Sequence, residues 1–377
     1  MNRIKKRLFN PVGNDFADNQ SPIYFGTSPL VNEPTGLFTI FEPRDRDIYE
    51  FVTLQKQRFW RADDYPIDAI KEGFTQLDEN NKKIFEYTLS FLSFLDSVQV
   101  ANISDLNVVY NMPEYRLWGT VHQYFEHEHS IAYSNILVGL FNNNTDEIKR
   151  IFYLAKDHPT LKKRNELIAN NYQKLFDIFW EGIKNVSVDD YARALTYVLA
   201  GTYAMEAITF YMGFKIIEFY QFKYGILPMT NKMISEIKAD ELFHVKVMAT
   251  IINRVKPFIL EHISNEEFDE IVRNTLKAYY ESDLEFYRDI LQRNEFGITD
   301  KQIFDYITFL TNRRAALIGL KDIGLPNVDN PFKEIDNLFG YLESHDNSNR
   351  KDSFFESSSA AYIAQKIDDS ALDDFDF

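Results

Sequence analysis

Two Glu-x-x-His pairs are the residues of this 377-residue sequence that most clearly could do chemistry. The first pair is Glu126 and His129, and the second is Glu241 and His244. Three residues of α-helix turn about 300° and rise about 4.5 Å, so each Glu shares a helix face with its His and could bind one ion with it. One such pair alone is weak evidence, because helices are rich in Glu.

The two pairs together are stronger evidence for a metal site, because each follows an acidic residue embedded in an apolar segment. Asp96 lies in Ser93-Phe94-Leu95-Asp96-Ser97-Val98-Gln99, 30 residues before Glu126, and Glu206 lies in Ala204-Met205-Glu206-Ala207-Ile208, 35 residues before Glu241. The order carboxylate, Glu-x-x-His, carboxylate, Glu-x-x-His is the ligand pattern of di-iron and di-manganese carboxylate bundles. It predicts four helices that point their ligands inward.

Four acids on apolar helix faces require neutralisation, since a buried carboxylate without a partner is costly. Two divalent cations held with the two histidines would supply it, and the alternative is pairing with Lys or Arg across helices. The sequence has no cysteine, so any metal has nitrogen and oxygen ligands. Such ligands favour Fe or Mn over zinc, whose structural sites prefer Cys and His.

Residues close to the first pair in the sequence could also serve as metal ligands. His127 and Glu128 point away from the face of Glu126 and His129, which predicts a solvated or supporting role. His122 shares that face and could be a third nitrogen ligand, although we favour a hydrogen bond from it to Glu206. Tyr133 lies one turn after His129 on the same face, where a tyrosine could give up one electron to a metal centre.

The composition favours an all-α protein, since 14 Gly and 12 Pro are few for this length and 33 Phe and 22 Tyr are many. We predict an irregular arm over residues 1–43, one helical domain over 44–340 and a polar tail over 341–377. The segments with helical periodicity run from Arg44 to Trp60, from Asp78 to Asn102 and from Pro113 to Phe141, where Asn142, Asn143 and Asn144 supply a stop, and then over roughly 145–155, 159–183, 188–224, 229–255, 265–293 and 299–318.

The C-terminal tail and the net charge of the chain indicate which partners it could bind. The final stretch from Asp368 to Phe377 mixes acidic with apolar residues, which suits either anchoring in a partner's groove or simple terminal disorder. A net charge of −16 argues against nucleic-acid binding. We expect no membrane association and a cytoplasmic location, because no signal peptide or long apolar run is present.

From about residue 20 onward the sequence resembles the class I ribonucleotide reductase small subunit. The shared motifs are Phe59-Trp60-Arg61, Leu95-Asp96-Ser97-Val98-Gln99, Glu126-x-x-His129-x-x-x-Tyr133, Glu206-Ala207-Ile208-x-Phe210-Tyr211 and Asp240-Glu241-x-x-His244, with a weaker likeness at Tyr306-Ile307-Thr308 and Asn312-Arg313-Arg314. The resemblance implies a ferritin-like helical bundle with a di-metal carboxylate centre. His122 departs from the pattern of the family.

The resemblance also implies roles for individual residues. Asp96, Glu126 and His129 would hold one metal ion, and Glu206, Glu241 and His244 the other. Tyr133 would carry the radical inside an apolar cage of Phe210, Phe214 and Ile237, and plain core packing explains these three equally well. Trp60 and Asp240 would join His129 in a relay, and Tyr362 would pass the radical onward.

The implied function is to generate and store a tyrosyl radical with oxygen and a metal pair, and to pass it to the large subunit of ribonucleoside-diphosphate reductase. The large subunit would be bound through the C-terminal tail, and the chain would form a homodimer. Iron is the expected metal, with Mn/Mn and Mn/Fe pairs left open. A related di-metal ligand-binding oxidase and a ferritin-like storage protein are the alternatives.

Overall fold

The computed structural model describes Pro43 and residues 45–107, 109–110, 112–181, 187–291 and 297–339. Within these ranges the regular structure is helical, which confirms the all-α prediction. The α-helices of the described residues are α1 (Arg46–Gln57), α2 (Ile67–Ile70), α3 (Glu79–Leu106), α4 (Pro113–Phe141), α5 (Thr145–Lys156), α6 (Pro159–Glu181), α7 (Val188–Ala204), α8 (Phe210–Tyr224), α9 (Pro228–Ile259), α10 (Asn265–Leu291), α11 (Asp300–Leu317) and α12 (Lys333–Phe339).

The ends of the long helices follow local sequence signals. Asp78 caps α3 by accepting a hydrogen bond of 2.8 Å from the backbone N–H of Asn81. Pro113 is the first residue of α4, and α4 ends where Asn142 adopts a left-handed conformation with φ of 48°. The predicted start and stop of α4 are therefore confirmed.

The predicted helix over 188–224 is confirmed with those bounds, but it is not α-helical throughout. Helices α7 and α8 are separated by a π-helical turn, Met205–Thr209, whose residues are all buried. The hydroxyl of Thr209 donates to the carbonyl oxygen of Met205 at 2.8 Å inside this turn. Met, Glu, Ala, Ile and Thr include no helix breaker, so packing rather than local propensity selects the π turn, and such turns are frequent at functional sites.

Four helical segments form a ring around the centre of the protein: α3, α4, α9 and the contiguous segment made of α7, the π turn and α8. Helix α3 packs against α4, α4 against α9, α9 against the π turn and α8, and α8 and α7 pack back against α3. At the close approach of α8 to α3, a Cβ on Gly213 would lie 2.8 Å from Cδ2 of Leu92, so a larger residue there would force the Leu92 side chain to shift. The other long helices pack outside this ring, with α5 on α3, α6 and α10 on α7, and α11 on α10.

Some predictions concern residues that the structure does not describe. Residues 1–42, 44 and 340–377 lie outside the described ranges, so the arm, the tail and the domain bounds at 44 and 340 stay predictions. The short helices α2 and α12 were not predicted, and α1 ends at Gln57, before the expected Trp60.

Candidate metal centre

The six predicted metal ligands come from the four elements of the ring. Asp96 lies on α3, Glu126 and His129 on α4, Glu206 in the π turn, and Glu241 and His244 on α9. All six side chains are fully buried. Their helices turn the six residues toward one point in the interior, as the sequence pattern predicts.

The donor atoms fall into two overlapping groups. The first contains Asp96, Glu126, His129 and Glu241, and the second contains His122, Glu126, Glu206 and His244; within each group the donor atoms lie within 4.8 Å of one another. Glu126 belongs to both groups and is thus placed to bridge two ions. The division differs from the one that the resemblance implied, because Glu241 joins the group of Asp96, Glu126 belongs to both groups and His122 joins the group of Glu206.

The individual distances between donor atoms are short. Nδ1 of His129 lies 3.1 Å from Oε1 of Glu241 and 4.0 Å from Oδ2 of Asp96. Nδ1 of His244 lies 3.0 Å from Oε1 of Glu126, 3.4 Å from Oε2 of Glu206 and 3.5 Å from Oε2 of Glu241. Glu241 therefore lies between the two histidines and can also reach both groups.

These donor atoms are buried without ordinary hydrogen-bond partners. Among the described residues, no hydrogen-bond partner is found for either oxygen of Asp96, Glu126 and Glu241, for Oε2 of Glu206, or for Nδ1 of His129 and His244. Within the described part of the chain, the ion-pair partners of the four acids are histidines, so pairing with Lys or Arg does not neutralise them. Unpaired buried oxygens and imidazole nitrogens on several helices fit metal ions, which would satisfy them together.

The pKa shifts of the buried acids and of His244 also indicate that the site needs added positive charge. Burial, together with the charges of Glu126 and Glu206, raises the pKa of Asp96 well above its usual value. Burial and the same two charges also raise the pKa of Glu241. Burial opposes the charge of His244, but Glu126 and Glu206 outweigh it and raise its pKa to about 10. Four carboxylates cannot all be ionised here without added positive charge, which two divalent cations would supply.

His127 and Glu128 lie outside both donor groups, as helix register predicts, but Glu128 is buried rather than solvated. His127 is exposed. The Glu128 carboxylate accepts hydrogen bonds from the hydroxyl of Tyr124 at 2.8 Å and from the backbone N–H of Ala62 at 3.3 Å, away from both donor groups.

Sequence reasoning missed the supporting role of Gln99. Its Nε2 donates a hydrogen bond to Oε1 of Glu206, and the side chain is fully buried. Gln99 lies three residues after Asp96 on the same face of α3, and this spacing was the available signal. His122 is also buried, with Nε2 3.3 Å from Oε1 of Glu206.

Tyr133 lies on α4 one turn beyond His129 and is fully buried, and its hydroxyl has no hydrogen-bond partner within the described ranges. Burial, followed by the charges of Asp96, Glu241 and Glu126, raises the pKa of Tyr133 well above its usual value. The phenol is therefore protonated, and its one-electron oxidation must also release a proton. Phe210, Phe214 and Ile237 are fully buried in the same apolar core.

Trp60, Asp240 and His129 are linked in a short chain of contacts. The Trp60 indole N–H donates to Oδ2 of Asp240 at 2.7 Å, and the same oxygen lies 3.2 Å from Nε2 of His129. The rings of Trp60 and His129 are stacked with centroids 6.0 Å apart. Gln55, which sequence reasoning did not select, donates to the other oxygen of Asp240 at 2.9 Å. Tyr362 lies outside the described residues.

A bundle of helices with paired carboxylate and histidine donors defines the class of di-metal carboxylate proteins. The sequence model of the family described as "Ribonucleotide reductase, small chain" matches residues 37–324. The chain therefore belongs to the ribonucleotide reductase small-chain family, and the predicted family resemblance is confirmed. The fold is the ferritin-like helical bundle of that family, whose members hold a di-metal centre.

Individual relatives agree with this assignment. The chain is 26% identical over 315 residues to the ribonucleoside-diphosphate reductase subunit beta of Halalkalibacterium halodurans, covering 82% of this chain and 84% of the relative. It is 26% identical over 306 residues to the protein of the same description from Treponema pallidum, covering 81% of each chain.

Solved structures share the fold. The ribonucleotide reductase R2 subunit from Clostridium botulinum matches with a TM-score of 0.70 and 24% identity, covering 85% of this chain and 94% of that one. The dimanganese(II) NrdF from Streptococcus sanguinis matches with a TM-score of 0.63 and 18% identity, covering 79% of this chain and 97% of that one. Among the described residues, every helix is too short or too polar to cross a lipid bilayer.

Proposed function

We propose that this chain is the radical-generating subunit of a class I ribonucleoside-diphosphate reductase. The observation that carries the proposal is the pair of overlapping donor groups, buried without hydrogen-bond partners, with the protonated Tyr133 on the same helix face as Glu126 and His129. Family membership supports the same reaction.

Asp96, Glu126, His129, Glu206, Glu241 and His244 are the proposed metal ligands. When bound, the metal pair supplies an oxidising equivalent derived from oxygen. Tyr133 is the proposed electron donor, and it loses one electron and its phenolic proton. The buried position of Tyr133 excludes water and external reductants, which prolongs the life of a radical.

Trp60 and Asp240 are the proposed route for the electron between the centre and the surface. Asp240 fixes the orientation of His129 by accepting from its Nε2–H, and it holds the indole of Trp60 through a second hydrogen bond. The residue beyond them is Tyr362 in the C-terminal tail, which we propose as the carrier to the large subunit.

Iron is the metal we propose, since imidazole and carboxylate donors suit Fe, and the same donors admit Mn/Mn and Mn/Fe pairs. The Streptococcus sanguinis relative is described as a dimanganese(II) protein. Metal analysis of the protein purified from its own cells would distinguish these pairs.

The proposed partners are a second copy of this chain and a large subunit that carries the nucleotide site. The relative Rnr4 of Saccharomyces cerevisiae is described as a homodimer. We propose that residues 341–377 bind the large subunit, and that the protein works in the cytoplasm without contact with membranes or nucleic acids.

The experiment is a coupled assay with the large subunit encoded in the same genome. After loading with ferrous iron and exposure to oxygen, the full chain should support reduction of a ribonucleoside diphosphate, and neither subunit alone should do so. A chain lacking residues 362–377 should keep its metal centre and lose binding and activity. Absence of activity with the full chain would contradict the proposal, and unchanged activity of the truncated chain would contradict the role of the tail.

A further inference from the structure

His122 lies inside the metal centre although the spacing of the Glu-x-x-His pairs does not include it. It is on α4, one turn before Glu126, and only 1% of its surface is exposed. Its ring lies 4.1 Å from the ring of His244 and 5.1 Å from that of Trp118, centroid to centroid. These contacts hold the imidazole beside the second donor group.

The distances from Nε2 of His122 match those between two ligands of one ion. Metal bonds to nitrogen and oxygen are about 2.0–2.2 Å, so two ligands of one ion lie about 3.0 Å apart at right angles and about 3.4 Å apart in a tetrahedron. Nε2 of His122 is 3.2 Å from Oε1 of Glu126 and 3.3 Å from Oε1 of Glu206. Nδ1 of His244 has the corresponding distances of 3.0 and 3.4 Å to the same two residues.

A hydrogen bond to Glu206, which the sequence suggested for His122, is the competing role. Nε2 of His122 is buried, and the part of the chain that the structure describes offers it no hydrogen-bond partner of adequate geometry. Oε1 of Glu206 already accepts from Nε2 of Gln99, so the supporting donor to this carboxylate is present. A buried nitrogen without a hydrogen bond, beside unpaired carboxylate oxygens, is better satisfied by a metal ion.

We propose that His122 binds one of the two metal ions directly through Nε2. That ion is then held by two imidazoles, from His122 and His244, with the carboxylates of Glu126 and Glu206, whereas the other ion has one imidazole, from His129. This inference rests on the di-metal centre of the proposed function. It makes the two metal positions chemically unequal, since one has two imidazole ligands and the other has one.

The test uses the full chain loaded with two equivalents of Co²⁺, whose unpaired electrons strongly shift the N–H protons of coordinated imidazoles. The proton NMR spectrum in water should contain three such solvent-exchangeable signals. His122→Gln should bind two Co²⁺ ions and show two signals, while His127→Gln, a change to an exposed histidine of the same helix, should keep three. Gln can still donate a hydrogen bond to Glu206, so a purely supporting role of His122 would survive this substitution.

A crystal structure of the Co²⁺-loaded wild-type protein provides a second reading that does not depend on any variant. The proposal expects a bond of about 2.1 Å from Nε2 of His122 to one ion. Two shifted N–H signals in the wild type, or an Nε2 more than about 3 Å from both ions in a fully loaded crystal, would overturn it. If three imidazoles coordinate but no radical forms with iron and oxygen, the proposed function fails while the assignment of His122 stands.

Discussion

Oδ2 of Asp240 accepts the indole N–H of Trp60 at 2.7 Å and lies 3.2 Å from Nε2 of His129, so one carboxylate oxygen joins the edge of the metal centre to a tryptophan. Carboxylates that accept from a ligating histidine fix its tautomer and orientation. Gln55 also holds Asp240 in place by donating a hydrogen bond to its other oxygen, Oδ1.

Replacing Asp240 should therefore weaken electron transfer more than it disturbs the fold. We expect Asp240→Asn to lower nucleotide reduction with the large subunit by about 10–100-fold. Tyr65→Phe is the matched control, because the Tyr65 ring packs edge-on against Trp60 while its hydroxyl donates to Glu236. Steady-state rates at saturating large subunit measure the effect, and a rate for Asp240→Asn within twofold of the wild type would refute the relay.

Glu126 is the carboxylate common to both donor groups, so its loss should affect both ions. We expect Glu126→Gln to retain fewer than two metal ions per chain after desalting. Glu128→Gln, two residues away, should retain two, because Glu128 is bonded to Tyr124 and Ala62 instead. Elemental analysis gives the stoichiometry, and equal metal content in the two variants would rule out Glu126 as a bridge.

Thermal stability gives a second comparison of Glu126→Gln with Glu128→Gln. A ligand at 100 times its dissociation constant stabilises the folded state by about 2.7 kcal/mol. Metal addition should raise the melting temperature of the wild type and of Glu128→Gln, and it should have a smaller effect on Glu126→Gln.

The positions of the six candidate ligands could be predicted from the sequence because they depend on helix geometry and on the apolar residues around them. The period of the α-helix places Glu126 beside His129 and Glu241 beside His244, and apolar neighbours identify Asp96 and Glu206 as buried. The ends of α4 were predictable for a similar reason, since Pro113 and Asn142 act locally.

Features that depend on distant parts of the chain were not predictable. Tertiary packing selects the π turn around Glu206, because the residues of this turn are equally compatible with an ordinary α-helix. Gln55 and Gln99 bond to residues 185 and 107 positions away. The spacing from Asp96 places Gln99 near the site, but no local pattern identifies Glu206 as its partner. The metal role of His122 was left open for the same reason, because its distance from Glu206 is set by how α4 packs on the π turn.

A buried charge cluster connects α8, α9 and the last described helix, α12. Nζ of Lys215 binds Glu218 at 2.8 Å and also Asp336 on α12, while Nζ of Lys238 binds Glu218 at 3.0 Å. All four side chains are at most 1% exposed. Removing one member of such a cluster leaves charge buried without compensation.

We expect Lys215→Met to lower the free energy of unfolding by about 3–5 kcal/mol. Hydrogen exchange of the amides in α12 should also accelerate, because Asp336 loses its contact with Lys215. Lys223→Met, on the exposed side of α8, should change stability by no more than about 0.5 kcal/mol. Urea unfolding measures both variants, and a loss below about 1 kcal/mol for Lys215→Met would show that the cluster contributes little.

Asp283 gives a prediction about pH. Its Oδ1 lies 2.8 Å from Nη1 of Arg164, and both side chains are buried. Burial raises the pKa of Asp283 to about 7, although Arg164 acts in the opposite direction. The folded protein then binds this proton more tightly than the unfolded chain, so the stabilisation is complete below about pH 4 and is lost as the pH rises through about 7.

Asp283→Asn keeps the neutral form at every pH and should therefore become more stable relative to the wild type between pH 5 and pH 8. Unfolding free energies of the two proteins across this range provide the measurement. A difference that stays constant, or that shifts in favour of the wild type as the pH rises, would mean that Arg164 keeps the carboxylate ionised throughout.

The central claim is that the metal pair oxidises Tyr133, and electron paramagnetic resonance tests it most directly. The full chain is loaded with ferrous iron, exposed to oxygen and frozen, in parallel with Tyr133→Phe, which removes the oxidisable hydroxyl and keeps the ring. We predict a tyrosyl radical signal in the wild type and none in Tyr133→Phe, with two metal ions bound in both. A wild type that binds two ions and gives no radical signal, or a tyrosyl signal that persists in Tyr133→Phe, would contradict this account.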